Sequence, residues 1–285
     1  MAYVWFGRAD VALPGGCKIG ARPVDLYVRG LTALGAVVDM SDEKIHVRAA
    51  NGKGLVGGRF HLDYPSVGAT ETLMMAASMT EGVTVLTNVA WEPEVVDLAQ
   101  FLNACGACIK GGGTNTLVIT GTKKLHGAEF TIMPDRIEAG TFMVAAAITR
   151  SCISLSPVIP SHLTSLVEKL SEAGCKITEK GSQTLEVSVA YSFTVKELQK
   201  LGARIKTIGN SAFIEGKKPG SMPLRGAKVS AADLRGGAAL VLAGLAADGI
   251  TEVSGVSHID RGYEGFEAKL RSLGAEIRRE TDTEQ

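Results

Sequence analysis

The chain has 285 residues, 45% of them apolar and 21% charged, which is enough apolar material for one large domain or two ordinary ones and excludes a disordered chain. Its 30 basic and 30 acidic residues give a formal net charge of +0. Binding along a phosphate backbone needs a basic excess, so nucleic acid is excluded as the main partner. No run of about 18 apolar residues occurs, so no membrane span is expected. The opening residues, Met1 to Arg8, lack a charged-then-apolar signal pattern. The chain is expected to be soluble and cytoplasmic, or plastid-delivered if a transit segment precedes it.

The first notable stretch is Pro14-Gly15-Gly16-Cys17-Lys18-Ile19-Gly20-Ala21-Arg22-Pro23-Val24-Asp25-Leu26. It sets one thiol among glycines and one guanidinium five residues later. Glycine lets a ligand approach the backbone closely. A thiol near cations has a lowered pKa. Arg22 can fork onto a phosphate or carboxylate, and Pro23 stiffens the backbone beyond it.

Further along the chain a phrase recurs: Leu34-Gly35-Ala36, Cys105-Gly106-Ala107, Ala173-Gly174-Cys175, Leu201-Gly202-Ala203 and Leu273-Gly274-Ala275. Each comes after a helical pattern and precedes a short alternating strand, so the glycine fits the left-handed position just past a helix end. The successive glycine spacings are 71, 68, 28 and 72, so three agree on a unit of roughly 70 residues and one is short by about 42. The shortfall falls between Val189 and Lys196. The chain also begins inside a unit. A second phrase keeps the period: Ser66, Asp135 and Asp233 each stand before an apolar helical run, at Leu73–Ala77, Phe142–Ala146 and Leu240–Ala243. Ser and Asp are favoured helix N-caps, which alone accounts for all three, and helix N-termini also attract anions. Each complete unit reads as strand, helix, strand, helix and hairpin, with a hairpin turn at Gly111-Gly112-Gly113, so the class is α/β. The organisation expected is a first domain over residues 1–189 and the remainder of a second over 190–285.

The repeat also explains four of the five cysteines. Cys105, Cys108, Cys152 and Cys175 occupy apolar positions and are expected to be buried, while Cys17 has no apolar counterpart. No second cysteine pair or histidine cluster completes a metal site, and no glycine-rich phosphate loop has the required spacing. Arg22, Arg235 and Arg261 are the candidate functional cations. The competing reading is surface ion pairs, which contribute little.

These features carry a family resemblance. The Cys17 loop, Ser66-Val67-Gly68-Ala69-Thr70, Asp135-Arg136-Ile137-Glu138-Ala139-Gly140-Thr141-Phe142, Asp233-Leu234-Arg235 and His258-Ile259-Asp260-Arg261-Gly262-Tyr263-Glu264 together resemble the UDP-N-acetylglucosamine 1-carboxyvinyltransferases of the enolpyruvyl transferase family. The resemblance implies an inside-out α/β barrel fold, built from repeats of about 70 residues with helices inside and sheets outside, as two domains around an interdomain cleft. It implies transfer of the enolpyruvyl group from phosphoenolpyruvate to the 3-hydroxyl of UDP-N-acetylglucosamine with loss of phosphate, in peptidoglycan precursor synthesis. Cys17 would be the general acid. Arg22 and Arg261 would hold the phosphoenolpyruvate anion, with Arg235 near its carboxylate. Arg22, Pro23, Val24, Asp25 and Leu26 would contact the uridine diphosphate portion, as would Ser66 and Val67. Tyr64, Pro65, Asp135 and Asp233 complete the expected substrate-binding set. No metal and no organic cofactor is implied.

The sequence departs from the family in two places. The family's N-terminal lysine-asparagine pair is absent, and the aspartate that accepts the sugar hydroxyl's proton belongs to the stretch missing after Val189. Tyr64 and Pro65 also replace the residues usual before Ser66. Two alternatives therefore stand beside the transferase: a non-catalytic relative that binds a UDP-sugar or a partner protein, and the related transferase of the shikimate pathway. The Cys17 loop and Arg22-Pro23-Val24-Asp25 argue against the latter.

Overall fold

The computed structural model describes residues 8–12, 24–41, 44–50, 52, 54–149, 151–172, 175–188, 204–208, 211–215 and 224–280, with only the backbone path for 204–208 and 211–215. By their contacts these residues gather into two compact units, one up to Met133 and one from Pro134 onward. The division expected after Val189 lies outside the described residues.

The first unit opens with β1 (Arg8–Ala12), α1 (Asp25–Ala33), β2 (Ala36–Ser41) and β3 (Lys44–Ala49). Strand β3 lies between the other two and is antiparallel to both, with Val38 opposite Val47. Then comes one whole repeat: β4 (Arg59–His61), α2 (Val67–Ala77), β5 (Val83–Thr87), α3 (Pro93–Ala104), β6 (Cys108–Lys110) and β7 (Thr116–Thr120). Its sheet runs β4-β5-β7-β6. The pair β4 and β5 is parallel because α2 carries the chain across between them, whereas β6 and β7 close as a hairpin. This is the strand-helix-strand-helix-hairpin unit read from the sequence.

Helices α2 and α3 are built differently. In α3 the buried residues Val95, Ala99 and Leu102 recur at helical spacing on one face, so it lies against the sheet with the other face in water. In α2 no residue is exposed, and Leu73, Met74 and Ala77 are fully buried. A helix with no exposed face belongs inside. Thr70 is its one fully buried polar side chain, and its Oγ1 accepts from the Ala90 backbone N–H at 3.0 Å, which ties the turn before α3 to α2.

The second unit contains α4 (Arg136–Thr149), β8 (Ile153–Leu155), α5 (Thr164–Glu172), β9 (Lys176–Glu179), β10 (Leu185–Ser188), β11 (Arg204–Ile208) and β12 (Ser211–Glu215). After these come β13 (Leu224–Arg225), β14 (Lys228–Ser230), α6 (Leu234–Leu245), β15 (Ala247–Asp248), β16 (Glu252–Ser254), α7 (Ser257–Asp260) and α8 (Phe266–Ser272). Strand β10 is central in β8-β10-β9, β11 and β12 form a hairpin, and β14 and β16 pair in parallel across α6. Helix α4 exposes only Thr149. Phe142 and Ala145 join a core with α6, α7 and α8, while Met143, Ala146 and Ala147 join a second with α5 and β10. Among the described residues no helix is long and apolar enough to cross a membrane.

Three of the five helix-end glycines are as expected, and Gly174 and Gly202 lie outside the described residues. Gly35, Gly106 and Gly274 have φ of 84°, 96° and 92°, the left-handed region that a side chain would strain. Two expectations fail. No strand precedes α4: Phe130 packs edge-on against Phe101 of α3, with ring centroids 5.5 Å apart, and the Met133 N–H reaches Asp97 at 3.5 Å. That segment is spent on the outer face of α3 and pairs with no sheet. Cys105 and Cys175 are buried, but Cys108 and Cys152 are exposed. Alternation in β6 turns Ile109 inward and so Cys108 outward.

Helices α1 and α2 meet where Gly30 faces Leu73. A methyl group at Gly30 would overlap both δ-carbons of Leu73, which is fully buried and has nowhere to go. Gly30→Ala is therefore expected to destabilise the first unit by about 1–3 kcal/mol, the usual cost of overpacking. Chemical denaturation of the variant against the parent chain measures it.

Candidate active site

Three buried helices begin on a side-chain acceptor at the repeated position. Ser66 Oγ accepts from the Ala69 N–H at 3.4 Å at the start of α2. Asp135 Oδ1 accepts from Ile137 and Glu138 at 2.7 and 3.2 Å at the start of α4. Asp233 Oδ1 accepts from Arg235 and Gly236 at 3.0 and 2.8 Å at the start of α6. All three candidates thus serve as N-caps, the role that the residue types alone predict.

In the first unit the structure brings two groups of candidates together. Tyr27, the third residue of α1, sets its hydroxyl where a methyl on Gly68, the second residue of α2, would stand. Gly30 meets Leu73 further along. Both contacts advance the same way, so the helices run side by side with their N-termini at one end. Val24, Asp25 and Leu26 thereby lie beside Ser66 and Val67. Asp25 is exposed and Leu26 is buried beneath it. The preceding loop is pinned by a pair not anticipated from sequence: Arg29 Nη1 and Nη2 reach Asp63 Oδ2 and Oδ1 at 2.5 and 3.2 Å. The guanidinium also lies 5.9 Å from the centroid of the Phe60 ring. It holds the Asp63 carboxyl below the usual carboxylate range. The pair is solvent-exposed and adds little stability, but its fork geometry fixes the approach to Tyr64, Pro65 and Ser66. Tyr64 and Pro65 are both exposed.

In the second unit Arg235 and Arg261 are both exposed. Arg235 stands two residues after the Asp233 cap, in the first turn of α6. Arg261 ends α7, and the next residue, Gly262, lies so close to α6 that a methyl on it would be 3.0 Å from Leu234 Cδ2. The two arginines are each one residue from that contact. Asp135 is exposed at the start of α4 and Asp233 half-buried at the start of α6. Cys17, Arg22 and Pro23 lie outside the described residues. Among the described residues no group of three or more His, Cys, Asp or Glu side chains could hold a metal ion.

The sequence pattern of the EPSP synthase (3-phosphoshikimate 1-carboxyvinyltransferase) family matches residues 1–193 and 184–270. A UDP-N-acetylglucosamine 1-carboxyvinyltransferase of Finegoldia magna is 45% identical over 318 residues, covering 96% of this chain and 74% of that protein. One of Gloeobacter violaceus is 47% identical over 317 residues, covering 96% and 68%. The chain belongs to the UDP-N-acetylglucosamine 1-carboxyvinyltransferase family. Its fold is that of the enolpyruvyl transferases: the transferase NikO from Streptomyces tendae superposes with a TM-score of 0.78 at 21% identity, over 97% of this chain and 75% of that one.

Membership also explains the short repeat. The Finegoldia alignment runs 318 residues, about 44 more than the 274 that 96% of 285 residues supply. The repeat is short by about 42. The family pattern matches in two pieces that meet at residues 184–193, the same place.

One ionisable side chain of this family member departs from its usual behaviour without any motif to mark it. Glu71, on the buried helix α2, is pushed above the usual carboxylate range by burial first and by the charge of Glu94 second. A raised carboxyl favours folding at low pH, and that contribution is lost as pH rises through the folded value. Glu71→Gln is therefore expected to raise the Tm at pH 7. The gain should vanish below about pH 4, where the wild-type side chain is protonated folded and unfolded alike. Thermal melts of both proteins across that range check it.

Proposed function

We propose that this chain transfers the enolpyruvyl group of phosphoenolpyruvate to the 3-hydroxyl of UDP-N-acetylglucosamine and releases phosphate. The observation that carries this reading is 45% identity along 96% of the chain with a relative of that name. The intact sequence Cys17-Lys18-Ile19-Gly20-Ala21-Arg22-Pro23 supports it. On this reading the enzyme is cytoplasmic and works in peptidoglycan precursor synthesis.

In the first step the sugar hydroxyl oxygen bonds to the central carbon of phosphoenolpyruvate. The double bond opens toward the methylene carbon, which takes a proton from the Cys17 thiol, and the hydroxyl's own proton passes to a base. In the second step the bond from the central carbon to the phosphate oxygen breaks. The methyl carbon returns a proton to the Cys17 thiolate, and the double bond re-forms as an enol ether. Arg22 and Arg261 neutralise the phosphate as it leaves, and Arg235 lies near the carboxylate. On this reading Val24 and Asp25, with Leu26 buried beneath them and Ser66 and Val67 beside them, hold the uridine diphosphate together with Arg22 and Pro23, and Tyr64 and Pro65 stand on the approach. Asp135 and Asp233 fix the helix starts that face substrate in the second unit. The base that takes the hydroxyl's proton is not supplied by any motif of this chain.

The test is phosphate release from phosphoenolpyruvate in the presence of UDP-N-acetylglucosamine. The parent chain is expected to release phosphate, and Cys17→Ala to lower the rate by about 10²-fold or more, as loss of a positioned acid does. Folded parent chain that binds UDP-N-acetylglucosamine but releases no phosphate would replace this reading with that of a non-catalytic relative.

A further inference from the structure

Arg261 sits in a frame that pins the chain on both sides of it. On one side, Asp260 is held by Arg279, whose Nη1 and Nη2 lie 3.0 and 2.5 Å from the two carboxylate oxygens. Arg279 Nη1 also lies 4.0 Å from Glu267 on α8. The guanidinium keeps the Asp260 carboxyl below the usual range, so the pair stays charged at neutral pH. On the other side, Gly262 presses on Leu234, and Tyr263, only 3% exposed, puts its hydroxyl 2.7 Å from Thr141 Oγ1.

The direction of that last bond is set by counting hydrogens. Thr141 has one hydroxyl proton and donates it to the Ile137 carbonyl at 2.9 Å. It must therefore accept from Tyr263, whose own proton then has a buried partner. The Tyr263 ring is wedged against Phe266 and Phe266 against Phe142, with centroids 5.0 and 5.9 Å apart, which leaves the ring one position. A chain of bonds thus runs from the residue two beyond Arg261 into the first turn of α4, the helix that Asp135 caps. An exposed arginine on a short helix end would otherwise sample many positions, at a cost in order when it grips an anion.

We infer that Thr141 and Arg279 are positioning residues for Arg261: they fix the backbone on either side of it, so that its guanidinium meets the phosphoenolpyruvate anion already oriented. The inference rests on the reading of Arg261 given above. Neither residue touches substrate. Both act through the segment Asp260–Tyr263.

Two variants test it from opposite ends. Arg279→Met removes an exposed pair, so the Tm should barely change while KM for phosphoenolpyruvate rises about tenfold, the order that small misplacements cause. KM for UDP-N-acetylglucosamine should stay as it was. Thr141→Val should raise the same KM and lower the Tm, because it strands the buried Tyr263 hydroxyl. Thr141→Ser, which keeps the bond, should restore both. The double variant Thr141→Val/Tyr263→Phe removes both polar partners; its Tm should recover while KM for phosphoenolpyruvate stays high. Recovery of both would mean that the bond is merely structural and would overturn the inference. Relaxation of the Arg261 Nε–H signal supplies a readout that needs no turnover, and its order should fall in Arg279→Met and Thr141→Val. If the parent chain releases no phosphate yet this order falls, the proposed function fails and the positioning frame stands. If the parent chain turns over while KM and order are unchanged in both variants, the frame is refuted and the function stands.

Discussion

The constraint on which the rest depends is the enclosure of one predominantly apolar helix in each repeat. Helices α2 and α4 are predominantly apolar, and apart from Thr149 no residue of either is exposed, so they cannot take part in an ordinary two-layer arrangement with one wet side. They must be surrounded, and the sheets and the amphipathic helices α3 and α5 lie outside them. A helix enclosed in this way has one weak point, its first turn, whose N–H groups have no intrahelical partner. Ser66, Asp135 and Asp233 answer that need at equivalent positions. The same requirement brings each helix start to the surface of its unit, since capping residues and the loops before them are polar. On the proposed reading, function at the helix N-termini is thus a consequence of how the helices are buried.

That logic explains why so much of the fold was legible. Regular spacing of Leu-Gly-Ala and of Ser or Asp before apolar runs reports local chemistry: a left-handed position after each helix and a cap before it. Gly35, Gly106 and Gly274 show the first, and the three caps show the second. The hairpin at Gly111–Gly113 was equally local. Contacts between residues distant in sequence were not legible. Nothing in the chain order pairs Arg29 with Asp63, or Thr141 with Tyr263 across 122 positions. Cys108 was misjudged for a related reason. Its repeat counterpart is Val37, which is itself exposed, so the apolar residue type misled at both positions. The missing strand before α4 was lost to a tertiary contact, since Phe130 has a better partner in Phe101 than a sheet edge would offer.

The shortened repeat is the feature in which family and physics meet. From Gly174 to Gly202 the chain advances by 28 residues where a unit needs about 70. What remains on the far side is the hairpin β11–β12, the closing part of a unit. Elsewhere a hairpin closes a full unit, and a step of 28 leaves room for less than half of one.

The caps that remain are not electrically alike. Ser66 is neutral, so α2 keeps the partial positive charge of its N-terminus, and an anion brought there meets free attraction. Asp135 and Asp233 are anionic, and each offsets the positive end of its own helix. In the second unit, then, helix ends alone would hold a phosphate or carboxylate poorly, and a cation must supply the difference. Arg235 stands two residues beyond the Asp233 cap, and Arg261 lies beside the same turn through the contact of Gly262 with Leu234. On the proposed reading, the uridine diphosphate rests on the neutral-capped helix together with Arg22 to Leu26. The smaller, more highly charged phosphoenolpyruvate goes to the arginines. On that reading, the identity of the cap residue in each repeat decides which kind of anion that repeat holds.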